Sequence, residues 1–212
     1  MSYKVGACGA YCSNQTGEVV TRALPHADSA GSRKNKETYD PVRPLTDAPT
    51  FMINPIDSTV NSVNGFSHAC VSLGFAMKGV RCIDSTSAQA GAVKPLYGLR
   101  NSLIGVEWGS ERTGNNWETK IRTFEKLGWD KENGSAALNL CAVAAGTFDL
   151  YWEEGCWACD VCAGWVILGG EGLVWEAVID GRIYLAIQAA SQASQENLVE
   201  EFWNVIQGRL EY

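Results

Sequence analysis

Residues 50–66, TFMINPIDSTVNSVNGF, constrain this chain more than any other stretch. A short apolar run ends in Asn-Pro-Ile-Asp-Ser-Thr, and a glycine closes the segment. The run reads as a buried strand. Proline lacks the amide hydrogen that a strand ladder needs, so the strand is expected to break there into a polar elbow. The elbow carries one carboxylate, Asp57, beside the hydroxyls of Ser58 and Thr59, at the start of a short helical stretch. Such an elbow can hold a metal ion and a phosphate. Asn54, however, is an amide where a second carboxylate would make the metal site far stronger. The stretch is a working site, a weakened one, or only a turn.

The chain has 212 residues, 46% of them hydrophobic and 19% charged, which fits a globular protein with a sizeable core and argues against disorder. A single domain is expected over residues 36–212, preceded by an irregular segment over 1–35 whose Gly, Ser, Asn, Pro and charges follow no period. The formal charge of −7 argues against nucleic acid or an anionic membrane as the main partner. A small anionic substrate remains compatible with that charge where a metal reverses the local field. The start MSYKVGACGAYC does not read as a secretory signal, and no apolar run is long enough to span a bilayer. A cytoplasmic setting is therefore expected, with the eight cysteines as thiols or ligands and disulfides disfavoured.

Beyond the elbow, HACVSLGFAM and NSLIGVEW (residues 101–108) read as strands. NNWETKIRTFEKLG sets Trp117, Ile121 and Phe124 on one face of a helix that Gly128 stops. GSAALNLCAVAAG (134–146) is an Ala-rich buried helix, and TFDLYWEE is a short strand. DVCAGWVILGGEG is a helix opening on Asp160, and RIYLAIQAA is a strand. The last helix, SQENLVEEFWNVIQGRL, takes Ser194 as its N-cap and Arg209 near its end. Helices and strands mix without strict alternation, so a layered α/β domain is favoured over a regular βαβ winding.

Asp57 and Asp160 each stand at the mouth of a predicted helix. Converging aspartates supply the oxygens a divalent ion needs, and such an ion polarises a phosphoryl oxygen and activates water. Alternatively, each aspartate simply caps its helix. Spacing alone favours capping.

INPIDSTVNSVNGF resembles the D-P-I-D-G/S-T stretch of the inositol monophosphatase family. GSAALNLCAVAAGTFDLYWEEGCWACDVCAGWVIL resembles that family's second signature, and TDAPTF and VEWGSERTGNN look most like fungal members, including those of quinate utilisation. The resemblance covers roughly residues 36–212 with gaps. It implies a layered αβαβα sandwich of the inositol monophosphatase and sugar phosphatase type. Here that sandwich is expected to be incomplete, with exposed sheet edges, because the chain is shorter than the family's usual length. The implied activity is Mg²⁺-dependent hydrolysis of inositol monophosphate or a related sugar or polyol phosphate. A homodimer is suggested by the resemblance alone. Matched by motif, Asp57 and Asp160 are metal ligands, and Ile56 offers its carbonyl. Ser58 and Thr59 form the phosphate elbow, with Thr59 also holding the water that attacks. Gly134, Ser135 and Ala136 line the substrate ring, and Glu153 accepts a substrate hydroxyl.

The pattern breaks at two ligands. Asn54 stands where the family has an aspartate bridging the metals, and Lys36 stands where fungal members have the first Glu of G-E-E-T-Y, with Glu37 next to it. At an effective dielectric of about 20, unit charges roughly 4 Å apart interact by about 4 kcal/mol. Losing two carboxylates and gaining an ammonium therefore predicts weak Mg²⁺ binding and impaired turnover. The alternative is a catalytically silent relative that binds a ligand or partner. Cys156, Cys159 and Cys162 have a zinc-like spacing but no fourth ligand nearby. His26 and His68 sit in no nucleophile motif, and the Gly-containing stretches lack the spacing of a nucleotide loop.

Overall fold

The computed structural model describes residues 5–7, 50–76, 94–109, 113–127, 130–168, 173–175 and 182–206. β1 (Val5–Ala7) and β2 (Thr50–Asp57) flank β3 (Cys70–Ala76), both antiparallel to it. β1 falls within the segment expected to be irregular. β2 does not end at Pro55 as the sequence suggests. It runs on, and its register shifts between Asn54, opposite Ser72, and Asp57, opposite Cys70. The bulge absorbs the proline on a strand that is outermost in this sheet among the described residues, where a missing amide hydrogen is best tolerated. It also sets the direction of Asp57. A helical turn and a half, α1 (Thr59–Val63), follows at once.

A second sheet has the order β5-β4-β6-β8-β7. Its strands are β4 (Ile104–Val106), β5 (Asp130–Lys131), β6 (Leu150–Glu154), β7 (Leu173–Trp175) and β8 (Ile183–Ile187). β4 runs parallel to β5 and β6, whereas β8 is antiparallel to β6 and β7. The strand predicted over 101–108 is shorter than expected, because a single 3₁₀ turn, Leu99–Asn101, takes its first residue.

Four longer helices complete the described residues: α2 (Gly114–Leu127), α3 (Ala136–Ala144), α4 (Ala158–Leu168) and α5 (Gln192–Val205). Ser191, not Ser194, caps α5; its hydroxyl accepts from the Ser194 amide. Gly128, Arg209, Lys36 and Glu37 lie outside the described residues. No helix among the described residues is long and apolar enough to cross a membrane.

Strand alternation distributes the core. One face of the larger sheet sends Ile104, Val106, Leu150, Trp152, Leu185 and Ile187 against Phe124 of α2 and Leu198, Val199 and Phe202 of α5. The opposite face sends Tyr151, Tyr184 and Ala186 against Leu140 and Val143 of α3 and Val161 and Leu168 of α4. The far side of α4 meets the smaller sheet, where Cys162 packs on Met52. The described residues thus stack as sheet, helix pair, sheet, helix pair. Each fully buried large aliphatic or aromatic side chain contributes roughly 1.5–3 kcal/mol. Gly74 permits the close approach of α4 to β3, since a Cβ there would collide with the Cys162 sulfur. That contact sets how near α4, and Asp160 on it, come to β2.

Candidate functional site

The layering brings together Asn54 and Asp160, 106 apart in sequence, beside Asp57. Asp57 ends β2 and is 1% exposed; Asp160 lies in the first turn of α4 and is 3% exposed. Asp160 does not open its helix as expected. Its Oδ2 accepts the Trp157 amide hydrogen at 2.9 Å, so it reaches back over the helix start in the manner of a capping box. Ser72 of β3 fixes that helix start by donating its hydroxyl to the Cys159 carbonyl at 3.0 Å.

Asn54 stands between the two aspartates. Its Nδ2 donates to Asp57 Oδ1 at 2.9 Å and to Asp160 Oδ1 at 2.6 Å. Its own Oδ1 accepts from the Ile56 amide at 3.1 Å. Asp57 Oδ2 receives the Ser135 hydroxyl at 2.5 Å and the Ala137 amide at 3.1 Å. Cys159 adds a weak thiol donor to Asp160 Oδ1 at 3.7 Å. The two carboxylates are therefore embedded in protein donors.

The elbow is tight. Ser58 takes a left-handed backbone conformation (φ 67°), is buried, and its side chain makes no cap bond to α1. Thr59 opens α1 and is half-buried. Asn61 ties α1 to the turn before α3, donating to the carbonyls of Asn133 at 2.7 Å and His68 at 2.8 Å. Gly134 in that turn has φ +81°, and a Cβ there would stand 3.0 Å from Asn61 Nδ2 and 3.1 Å from Ser58 Oγ. Of the three residues expected to line a substrate ring, only Gly134 is exposed. Ser135 is wholly buried as the cap of α3, accepting the Leu138 amide while donating to Asp57, and Ala136 packs in the core.

Glu153 is buried. Alternation along β6 turns it, with Tyr151, toward α3 and α4, and the Tyr151 hydroxyl donates to it. Burial first, then the charge of Glu107, then Asp160 and Asp57, push its carboxyl up to about 8 against the opposing Tyr151 hydrogen bond. The shift favours its protonated form. Tyr151 itself is driven well above its ordinary range by burial and by Glu153.

Glu107 escaped sequence reasoning. It accepts from the amides of Gly134 at 2.7 Å and Asn133 at 3.0 Å, and from Asn139 Nδ2 at 2.7 Å, and so anchors the turn beside Ser58. Burial raises its carboxyl, partly offset by these donors. The only hint in sequence is a charge following directly on the buried triplet Ile-Gly-Val.

The cysteine triplet does not converge. Cys156 packs in the core with Tyr151 and Tyr184, Cys162 donates to the Met52 carbonyl, and Cys159 leans on Asp160. Among the described residues no group of three or more His, Cys, Asp and Glu is set to hold a metal ion.

The chain is similar to known proteins. The Inositol monophosphatase family matches residues 85–207. The chain is 37% identical to "Inositol monophosphatase 2" of Saccharomyces cerevisiae, over 84% of this chain and 75% of that one. It is 26% identical to "Protein qutG" of Emericella nidulans, over 79% of this chain and 71% of that one. The solved inositol monophosphatase of Anabaena has the same fold, with a TM-score of 0.64, 22% identity and coverage of 91% of this chain and 92% of that one.

Proposed function

This chain belongs to the inositol monophosphatase family, and we propose that it is a weakened phosphomonoesterase acting on inositol monophosphate or a related sugar or polyol phosphate. The observation that carries this reading is the meeting of Asp57 and Asp160 at one nitrogen of Asn54. The meeting point is linked through Ser135 to the turn that Gly134 forms against Ser58.

In this reading the hydroxyls of Ser58 and Thr59 meet the phosphate, and Thr59 orients the attacking water. Glu153, whose burial favours its protonated form, exchanges hydrogen bonds with polyol hydroxyls. Mg²⁺, which the family resemblance implies, does not fit the aspartate pair as it stands, because the amide of Asn54 already occupies the facing oxygens. No step of the reaction is assigned to it. Neutral donors alone stabilise the charge that develops on a phosphoryl group far less than a cation does, so turnover is slow.

The test is phosphate release from inositol monophosphate by the full chain with Mg²⁺ present. Wild type is expected to release phosphate slowly but above Asp57→Ala, and Asn54→Asp is expected to be about tenfold faster or more. Wild type matching Asn54→Asp would remove the weakened reading. A catalytically silent binding protein is the second reading, favoured by the same bridging amide. It holds if calorimetry shows inositol monophosphate bound while release stays at the Asp57→Ala level.

A further inference from the structure

The amide of Asn54 is held in one orientation by three partners. Its nitrogen points both hydrogens at carboxylate oxygens, Asp57 Oδ1 at 2.9 Å and Asp160 Oδ1 at 2.6 Å. Its oxygen takes the Ile56 amide hydrogen at 3.1 Å. Turning the group over would set an oxygen against two carboxylates and an NH₂ against an N–H. All three contacts would change from attractive to repulsive in a residue 2% exposed. Asn54 therefore cannot present its oxygen to a cation lying between the aspartates without leaving buried polar groups unsatisfied.

The aspartates are equally committed on their far sides. Asp57 Oδ2 takes the Ser135 hydroxyl at 2.5 Å and the Ala137 amide at 3.1 Å, and Asp160 Oδ2 takes the Trp157 amide at 2.9 Å. Mg²⁺ demands near-ideal octahedral geometry and gives up its waters reluctantly. Here it would have to expel a buried amide and break two hydrogen bonds to charged groups. With a carboxylate at position 54 the balance inverts. Three buried carboxylates would face one another, and their repulsion would be relieved by a bound cation or by taking up a proton.

We propose that the side-chain amide of Asn54 takes the place of a divalent cation between Asp57 and Asp160, so that this centre is closed by the protein's own donor and binds no Mg²⁺ or Mn²⁺. The inference concerns the same site as the proposed function, but its test reads metal binding and folding and is independent of phosphate release. It is separable from that reading, since slow hydrolysis and a closed pair can each stand or fall alone.

The full chain is melted in chelator and in millimolar Mg²⁺, and titrated with Mn²⁺ followed by electron paramagnetic resonance. Wild type is expected to melt at one temperature in both buffers and to give no saturable loss of the free Mn²⁺ signal. Asn54→Asp is expected to melt several degrees lower in chelator, to recover in Mg²⁺, and to take up Mn²⁺ saturably. Should Asn54→Asp fail to fold in chelator, its folding on Mg²⁺ addition supports the proposal, and the wild-type titration decides independently. A saturable Mn²⁺ signal in wild type that Asp57→Asn abolishes overturns it, as does an Asn54→Asp variant that folds and binds no Mn²⁺.

Discussion

Ser135 joins the start of α3 to the end of β2: its hydroxyl donates to Asp57 Oδ2 at 2.5 Å and accepts the Leu138 amide at 3.2 Å. One side chain thus caps a helix and holds a buried carboxylate. Ser135→Ala removes both bonds. Loss of a serine cap costs about 1 kcal/mol, and a buried charge deprived of a donor adds roughly 1–3 kcal/mol. The variant is expected to unfold about 2–4 kcal/mol more easily in urea, with an unchanged slope.

Ser58 is the hinge of the elbow and carries a backbone conformation that glycine adopts without strain (φ 67°). Its side chain makes no cap bond that a substitution would forfeit. Ser58→Gly is therefore expected to stabilise the chain by about 1 kcal/mol, the left-handed penalty less the added freedom of the unfolded chain. A fall in melting temperature would show that the Ser58 hydroxyl holds a bond worth more than the strain.

Lys120 and Glu154 form a wholly buried ion pair, Nζ to Oε1 at 3.1 Å, with Lys120 also donating to the Trp108 carbonyl at 2.9 Å. Alternation along β6 sends Glu154 toward α2 while Glu153 points the other way, so this pair belongs to packing and not to the candidate site. Removing one partner strands the other charge. Lys120→Met is expected to cost about 3–5 kcal/mol, and Lys120→Met with Glu154→Gln to recover most of it. Equal losses in the single and double variants, measured by chemical denaturation, would contradict this pairing.

What the sequence displayed, and what it hid, divides along physical lines. The helix start after Asp57 and the Ala-rich helix were legible because aspartate and a run of small apolar residues each have strong local preferences. The layered fold and the family followed from two signatures in order, and the likeness to relatives bears both out. Cap positions were displaced where neighbouring serines compete: Ser191 precedes Ser194 at α5, and local preference does not choose between them. The continuation of β2 through Pro55 depends on that strand lying outermost, a tertiary fact. Glu107 and the amide bridge of Asn54 were hidden for the same reason. Their partners lie up to 106 residues away, and hydrogen-bond orientation leaves no periodic trace.

Glu153 makes folding depend on pH in a calculable direction. Its carboxyl rises from an ordinary 4.5 to about 8 because burial and then Glu107 disfavour its charge. Between those values the folded chain holds a proton that the unfolded chain has lost, so stability falls as pH rises. The contribution is whole below the lower value, declines by up to about 1.4 kcal/mol per pH unit, and is spent once pH passes the upper one. Glu107, also raised, acts with the same sign. Glu153→Gln cannot ionise and should keep a partner for the Tyr151 hydroxyl. Urea unfolding across this range is expected to show a shallower decline for the variant, which overtakes wild type toward the alkaline end. Parallel curves for the two proteins would mean that Glu153 keeps an ordinary acidity despite its burial beside Tyr151.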